Sequence, residues 1–299
     1  MKKVSFIFVA LMGMMAASCG NESDELSNEQ TVEQSQLVPV RVHVEGFSLS
    51  QEEFSGAQTR AAQDVADYSG INAVMLAFYK GDGTEVYKST QAKGNADFGE
   101  FSLSLPMGSY TMVVIARGQG EGDVFTLTSP TEAAYTGDHS RETFAYTQAV
   151  DITNTSAVDI SATLNRIVAK LQVYSTDGRT ANATNVRMTF SAAGKAFNPT
   201  SGLATANTGF VNTVPISAAA GETSNSISYL FLATDEQDID VTIETLDSEG
   251  NTLFSKTVEN VPFKRNRVTI LTGAMYTNEA VSGGFQLETA WLSNENVPF

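Results

Sequence analysis

Histidine, cysteine and tryptophan are nearly missing from this chain, with two, one and one in 299 residues. A single cysteine excludes any disulfide within the chain, so its stability has to come from packed cores. The two histidines are His43, on the polar side of an alternating segment, and His139, in Gly137-Asp138-His139-Ser140-Arg141. Adjacent Asp, His and Ser do not by themselves build a nucleophilic triad, and His139 reads as a loop histidine. There is no Gly-x-Ser-x-Gly elbow, no glycine-rich phosphate loop and no cofactor motif, which leaves no enzyme to argue for and no cofactor to place. Basic residues are also scarce. Eighteen Lys and Arg against 34 Asp and Glu give a formal charge of −16, so nucleic acid is disfavoured as a partner. No segment shows three or more turns of amphipathic helix.

The cysteine stands at an informative place. Lys2 and Lys3 precede the apolar run Val4 to Ala17, then come Ser18, Cys19 and the polar stretch from Gly20. The run falls short of the ~20 apolar residues that cross a bilayer, and its charged start and small-residue end describe an export signal. A cysteine just after the small residues resembles a bacterial lipoprotein signal, although Ala16 stands where leucine is more usual. That resemblance implies cleavage before Cys19, acylation of its thiol, and an outer-membrane, cell-surface location. Residues 1–18 are then the signal peptide. Residues 19–37, acidic and with almost nothing to bury, read as a disordered tether. With the leader removed the charge becomes −18.

From Val38 onward the pattern is β. Val40, Val42 and Val44 alternate with Arg41 and His43 as a half-buried first strand. A hairpin follows, with strands Ile71–Lys80 and Thr84–Lys88 around Gly81-Asp82-Gly83. The turn at Pro106-Met107-Gly108-Ser109 leads into Tyr110–Ala116, apolar enough for a central strand. Ser129–Glu142 is the one stretch here that reads as helical or irregular. A second set of strands begins near Val158. It contains alternating Ile167–Val173, Val186–Phe190, Ile239–Ile243 and Leu253–Val258, and ends with Gly284–Leu292. Short strands separated by Gly, Asp and Pro turns predict antiparallel sandwiches, and the chain covers this pattern twice with a seam between Asp151 and Ser161. The expected division is residues 38–152 and 153–299. Asp235, Glu236, Asp238 and Asp240 form a carboxylate cluster, but their spacing is not that of an EF-hand. A solvated turn is the better reading, and no metal site is assigned.

Several segments, taken in order, resemble the fimbrillin family of Bacteroidales pili. They are Phe98-Gly99-Glu100-Phe101 through Leu105-Pro106-Met107-Gly108-Ser109-Tyr110-Thr111 and Leu164-Asn165-Arg166-Ile167-Val168-Ala169-Lys170-Leu171. Lys264-Arg265-Asn266-Arg267-Val268 through Gly273 and the late Ala290-Trp291 complete the match. The resemblance implies an all-β fold of two tandem transthyretin-like antiparallel sandwiches. It also implies a non-enzymatic, lipid-anchored pilus (fimbrium) subunit or anchor, with other fimbrial subunits and the outer membrane as partners. In pilus-forming members of that family, cleavage after an arginine removes the first strand and a strand from the next subunit replaces it. Arg60-Ala61 stands in the corresponding place, and Phe285, Leu287 and Trp291 fall on one side of a donor-like last strand. Two readings stay open at each position. Arg60 is either a cleavage site or a solvated loop arginine, and the Phe285 strand is either exchanged or intramolecular. A free-standing adhesin that binds glycan or a host protein is the alternative to a pilus role.

Overall fold

The computed structural model describes residues 36–48, 64–120, 123–137, 139–277 and 285–288, and every regular element among them is a β-strand. The first nine strands are β1 (Leu37–Ser48), β2 (Ala73–Lys80), β3 (Glu85–Ala92), β4 (Glu100–Pro106), β5 (Gly108–Arg117), β6 (Phe125–Ser129), β7 (Glu132–Tyr135), β8 (Thr143–Ile152) and β9 (Val158–Arg166). The rest are β10 (Ala169–Ser175), β11 (Asn185–Phe190), β12 (Ala196–Phe197), β13 (Phe210–Pro215), β14 (Asn225–Leu230), β15 (Glu236–Leu246), β16 (Thr252–Lys264), β17 (Val268–Gly273) and β18 (Gln286–Glu288).

The largest sheet has seven strands in the order β3-β2-β5-β8-β9-β1-β4. Strands β8 and β9 pair only at Phe144–Arg166 and Ala145–Asn165, so the sheet turns a corner there. Its two wings, β3-β2-β5-β8 and β9-β1-β4, close on one core. Val40 and Val42 from one wing meet Leu76, Met112, Val114 and Phe144 from the other. Alternation across the pleat is the cause, since every second residue of each strand faces inward. β5 is buried along almost its whole length because Val113 and Ile115, on its other side, face a further core. That accounts for the unbroken apolar run in its sequence.

The further core is covered by a three-stranded sheet, β12-β7-β6. Phe197 of β12 stacks on Phe231 at 4.3 Å between ring centroids, and Tyr135 of β7 lies 6.3 Å from the same ring. β7 falls inside 129–142, the stretch expected to be helical or irregular. Its two buried side chains, Ala133 and Tyr135, are too few to show the period. A second sandwich forms from β14-β10-β17-β18 and β13-β11-β15-β16, with Leu171, Val173, Val186, Met188, Val241 and Ile243 among its core residues. Strand β13 has no sequence signature, because its one fully buried side chain is Asn212, bonded to Ser228 Oγ at 2.7 Å.

The expected seam at 151–161 joins two strands of a single sheet, since β9 pairs in parallel with β1 from Val40–Val158 to Ser48–Asn165. The chain passes to the second sandwich later, between Arg166 and Ala169. Three of the four 235–240 acids are engaged locally. Asp235 meets Arg265 at 2.6 Å, Glu236 meets Lys264, and Asp240 accepts the Asn260 amide at 2.8 Å. Among the described residues, no three His, Cys, Asp or Glu side chains are grouped to hold a metal ion.

Strands β11 and β15 carry a two-pronged ion pair, Arg187 Nε to Glu244 Oε2 at 2.7 Å and Nη2 to Oε1 at 2.9 Å. The hydrogen bond from Arg187 holds the Glu244 carboxyl below its ordinary range, against an opposing effect of burial. A depressed carboxyl contributes stability above its unfolded value and loses it as pH falls through the folded one. Between about pH 5 and pH 3 the protein is therefore expected to lose about 0.5–1 kcal/mol more stability than Glu244→Gln, read by urea unfolding.

Candidate functional site

Strand β1 is the element that joins the N-terminal segment to the fold, and it lies inside a sheet rather than at an edge. On one side it pairs antiparallel with β4, from Leu37–Pro106 to His43–Glu100, and on the other parallel with β9. Val38, Val40, Val42 and Phe47 have no exposed surface, and Val44 has 1%. A bulge between Val44 and Gly46 shifts the alternation by one residue. Phe47 therefore turns inward and stacks on Phe144 at 4.0 Å. The outward side chains form a polar rim, with Arg41 3.7 Å from Asp159 and His43 bonded to Glu100. Burying five apolar side chains at about 1.5–3 kcal/mol each makes the slot between β4 and β9 expensive to leave empty.

A buried polar network closes the inner end of that slot. Arg166, the last residue of β9, donates from Nε to Glu142 Oε1 at 2.8 Å, from Nη1 to Asn266 Oδ1 at 2.9 Å and from Nη2 to Tyr68 Oη at 2.8 Å. Tyr68 in turn donates to Glu142 Oε1 at 2.6 Å. The Arg166 and Glu142 side chains are 2% and 8% exposed. The guanidinium also lies 4.7 Å over the Phe144 ring, the ring on which Phe47 stacks. Burial, reinforced by the charge of Glu142, raises the Tyr68 hydroxyl well above its ordinary value, so it stays protonated as a donor. Gly70 is required beside it, because a Cβ there would sit 2.4 Å from Glu142 Oε2.

The same network ties the two sandwiches together. Asn266 has φ +60° in the turn between β16 and β17, and its amide bonds to Val168 O at 2.9 Å. Lys170 N bonds to Arg267 O at 3.0 Å. Two of the segments singled out in the sequence, 164–171 and 264–273, thus meet at one place. Tyr68 and Glu142 have no signature in the sequence, since one is among nine tyrosines and the other among 34 acids. A cleft of about 480 Å³ opens beside the network where β8 and β9 part, lined by Tyr146, Thr147, Asn165, Thr200 and Arg265 among others.

The remaining sequence candidates are dispersed. His139 Nε2 bonds to Thr213 O at 2.7 Å and Ser140 Oγ to Tyr229 O, so both are engaged with backbone carbonyls. Phe285 packs against the second core and over Gly273, and β18, which includes Leu287, pairs antiparallel with β17. Cys19, Arg60, Ala61 and Trp291 lie outside the described residues.

The model of a family of unknown function, DUF6562, matches residues 38–295. No curated protein matches the chain. Among solved structures, a candidate adhesin from Bacteroides ovatus is similar, with TM-score 0.50 and 11% identity over 80% of this chain and 88% of that one. A second candidate adhesin from Bacteroides ovatus has TM-score 0.49 and 11% identity over 83% and 90%. The fimbrial anchor protein Mfa2 from Porphyromonas gingivalis has TM-score 0.46 and 10% identity over 84% and 95%. The likeness to the first shows a shared fold.

Proposed function

Since the chain belongs to the DUF6562 family, whose function is unknown, we propose a role for it from its first strand: a non-enzymatic, lipid-anchored surface protein of the fimbrillin type that serves as the foot of a pilus. The observation that carries this reading is β1, the first described strand after Cys19 in the sequence, which is held between β4 and β9 with five apolar side chains buried. A lipid on Cys19 is then connected to the first core through an interior strand. Acyl chains contribute about 0.8 kcal/mol per buried methylene, so a multiply acylated cysteine holds the protein at the outer membrane.

In this role Arg60 stays uncut and β1 stays in its slot. Cleavage after Arg60 would instead free residues 61–299 from their lipid and leave the slot for a strand of another subunit, the behaviour of a shaft subunit. Other fimbrial subunits are the partners in either case, and Phe285, Leu287 and Trp291 mark the strand proposed for exchange with them. The two tandem domains of this reading divide after Arg166. The adhesin-like fold and the order of the four segments that resemble fimbrillins support the assignment.

Cys19→Ser is expected to move the protein from the outer-membrane fraction to the soluble fraction. Membrane retention of that variant contradicts the proposal. A second reading, capture of a glycan, is favoured by the polar cleft beside Tyr146 and Asn165. Binding on a glycan array that is abolished by Tyr146→Ala, in a protein that joins no pilus, would establish it instead.

A further inference from the structure

β1 begins at one end of the first sandwich. Three connections gather there. Leu37 pairs with Pro106, which places the start of β1 beside the β4–β5 turn at Met107. Gly108 pairs with Ile152, which adds the β8–β9 connection 153–157, and Lys80 pairs with Tyr110, which adds the turn 81–84. The opposite end of this sandwich carries Arg166 and the junction with the second one. Leu37 is 60% exposed and Met107 50%, next to one another across the Leu37–Pro106 pair. The turn that presents Met107 is held by Tyr110 Oη, which donates to Pro106 O at 2.8 Å.

The three connections at this end carry little charge, with Glu85, Asp151 and Asp159 exposed at their margins. Among residues 81–84, 107 and 153–157, Asp82 is the one charged side chain, next to Lys80, while the chain as a whole carries −16. The connection 153–157 reads Thr-Asn-Thr-Ser-Ala and is exposed throughout.

We infer that this end faces the lipid surface, with Leu37 and Met107 touching the headgroup region and residues 153–157 hydrogen-bonded to it. The inference rests on the lipid-anchor reading of Cys19. The chain outside the structure argues for that occupant. Seventeen residues, 19–35, separate the acylated cysteine from the fold, and seventeen residues span at most about 60 Å. They lead to Gln36 and Leu37, at this end and at no other. Two exposed side chains would not bind a membrane by themselves. With the protein already tethered, a small preference is enough to set its orientation, because the second contact is intramolecular. The contact leaves the junction and the second sandwich directed away from the membrane.

Acylation of Cys19 consumes the chain's one thiol, so Met107→Cys and Glu249→Cys each introduce a unique labelling site in the full-length acylated protein. Glu249 lies in the β15–β16 turn, at the end of β16 remote from Asn266. Each variant carries the same fluorophore and is reconstituted in vesicles of phosphatidylethanolamine and phosphatidylglycerol with brominated acyl chains. The label at 107 is expected to lose about half its emission, since interfacial residues lie within about 5–10 Å of the headgroup/acyl boundary, while the label at 249 is unchanged. A Leu37→Cys label should behave as the label at 107 does. Equal emission at 107 and 249 in protein that floats with the vesicles overturns the inference and leaves the anchor reading intact. Protein that does not float overturns both. Emission at 107 that changes with protein density in unbrominated vesicles assigns this end to a second copy of the chain and likewise overturns it.

Discussion

Glu142→Ala is expected to lower the unfolding free energy by about 3–5 kcal/mol, measured by urea titration at pH 7. The change removes the carboxylate that balances a guanidinium only 2% exposed, and it strips Tyr68 of its acceptor. Arg166→Ala is expected to cost a similar amount, since it leaves the Glu142 carboxylate buried without its cation. Changing both together, Glu142→Leu with Arg166→Met, should recover most of the loss, because a buried ion pair is costly to break and cheap to replace with apolar side chains of similar volume. Tyr68→Phe, which removes a hydroxyl and no charge, should cost about 1–1.5 kcal/mol. If Glu142→Ala were as stable as the unaltered protein, the network would be incidental to the joining of the two sandwiches.

The second large effect concerns β1. A chain that starts after Ser48 loses five side chains worth about 1.5–3 kcal/mol each, a sum comparable to the whole stability of a typical domain. It should fail to keep the first core, seen as fast amide exchange in β4 and β9, while the second sandwich, whose core contains none of these residues, stays protected. Adding a synthetic peptide of residues 36–48 should restore protection in β4 and β9, because backbone pairing on both sides supplies register and the valines supply fit. In the intact chain, Val42→Asp should cost more than about 4 kcal/mol by placing a carboxylate at a site with no exposed surface. A truncated chain that folds unaided would remove β1 from the account.

Much of the fold is legible in the residues themselves. Val40, Val42 and Val44 announce β1 because one side of it faces the core and the other faces water, and Lys80-Gly81-Asp82-Gly83 announces the first hairpin because Gly83 takes φ +84° in its turn. The run through Val113 and Val114 shows a strand buried on both sides. What fails is informative. β7, the short middle strand of its sheet, and β13, an edge strand, escape notice because each buries too few apolar side chains to establish a period. The seam at 151–161 is read from a second set of strands that begins near Val158, and the parallel pairing of β9 with β1 across it is a long-range fact that no local pattern carries.

The network around Arg166 is legible only in part. The likeness to fimbrillins marks Arg166 and Asn266 as belonging to two motifs, but they are 100 residues apart, and their contact depends on how the sandwiches meet. Tyr68 and Glu142 complete the network from loops with no motif at all. The exposed pair Leu37 and Met107 is hidden for the opposite reason, since each residue in sequence looks like ordinary strand or turn, and only the β1–β4 register brings them side by side.

The central claim is that lipid and fold stay connected through β1. The intact mass of the native protein, extracted from outer membranes, tests it most directly. The account predicts a species that begins at acylated Cys19 and continues unbroken through Arg60 and Ala61 to the second sandwich. A species that begins at Ala61 would contradict it.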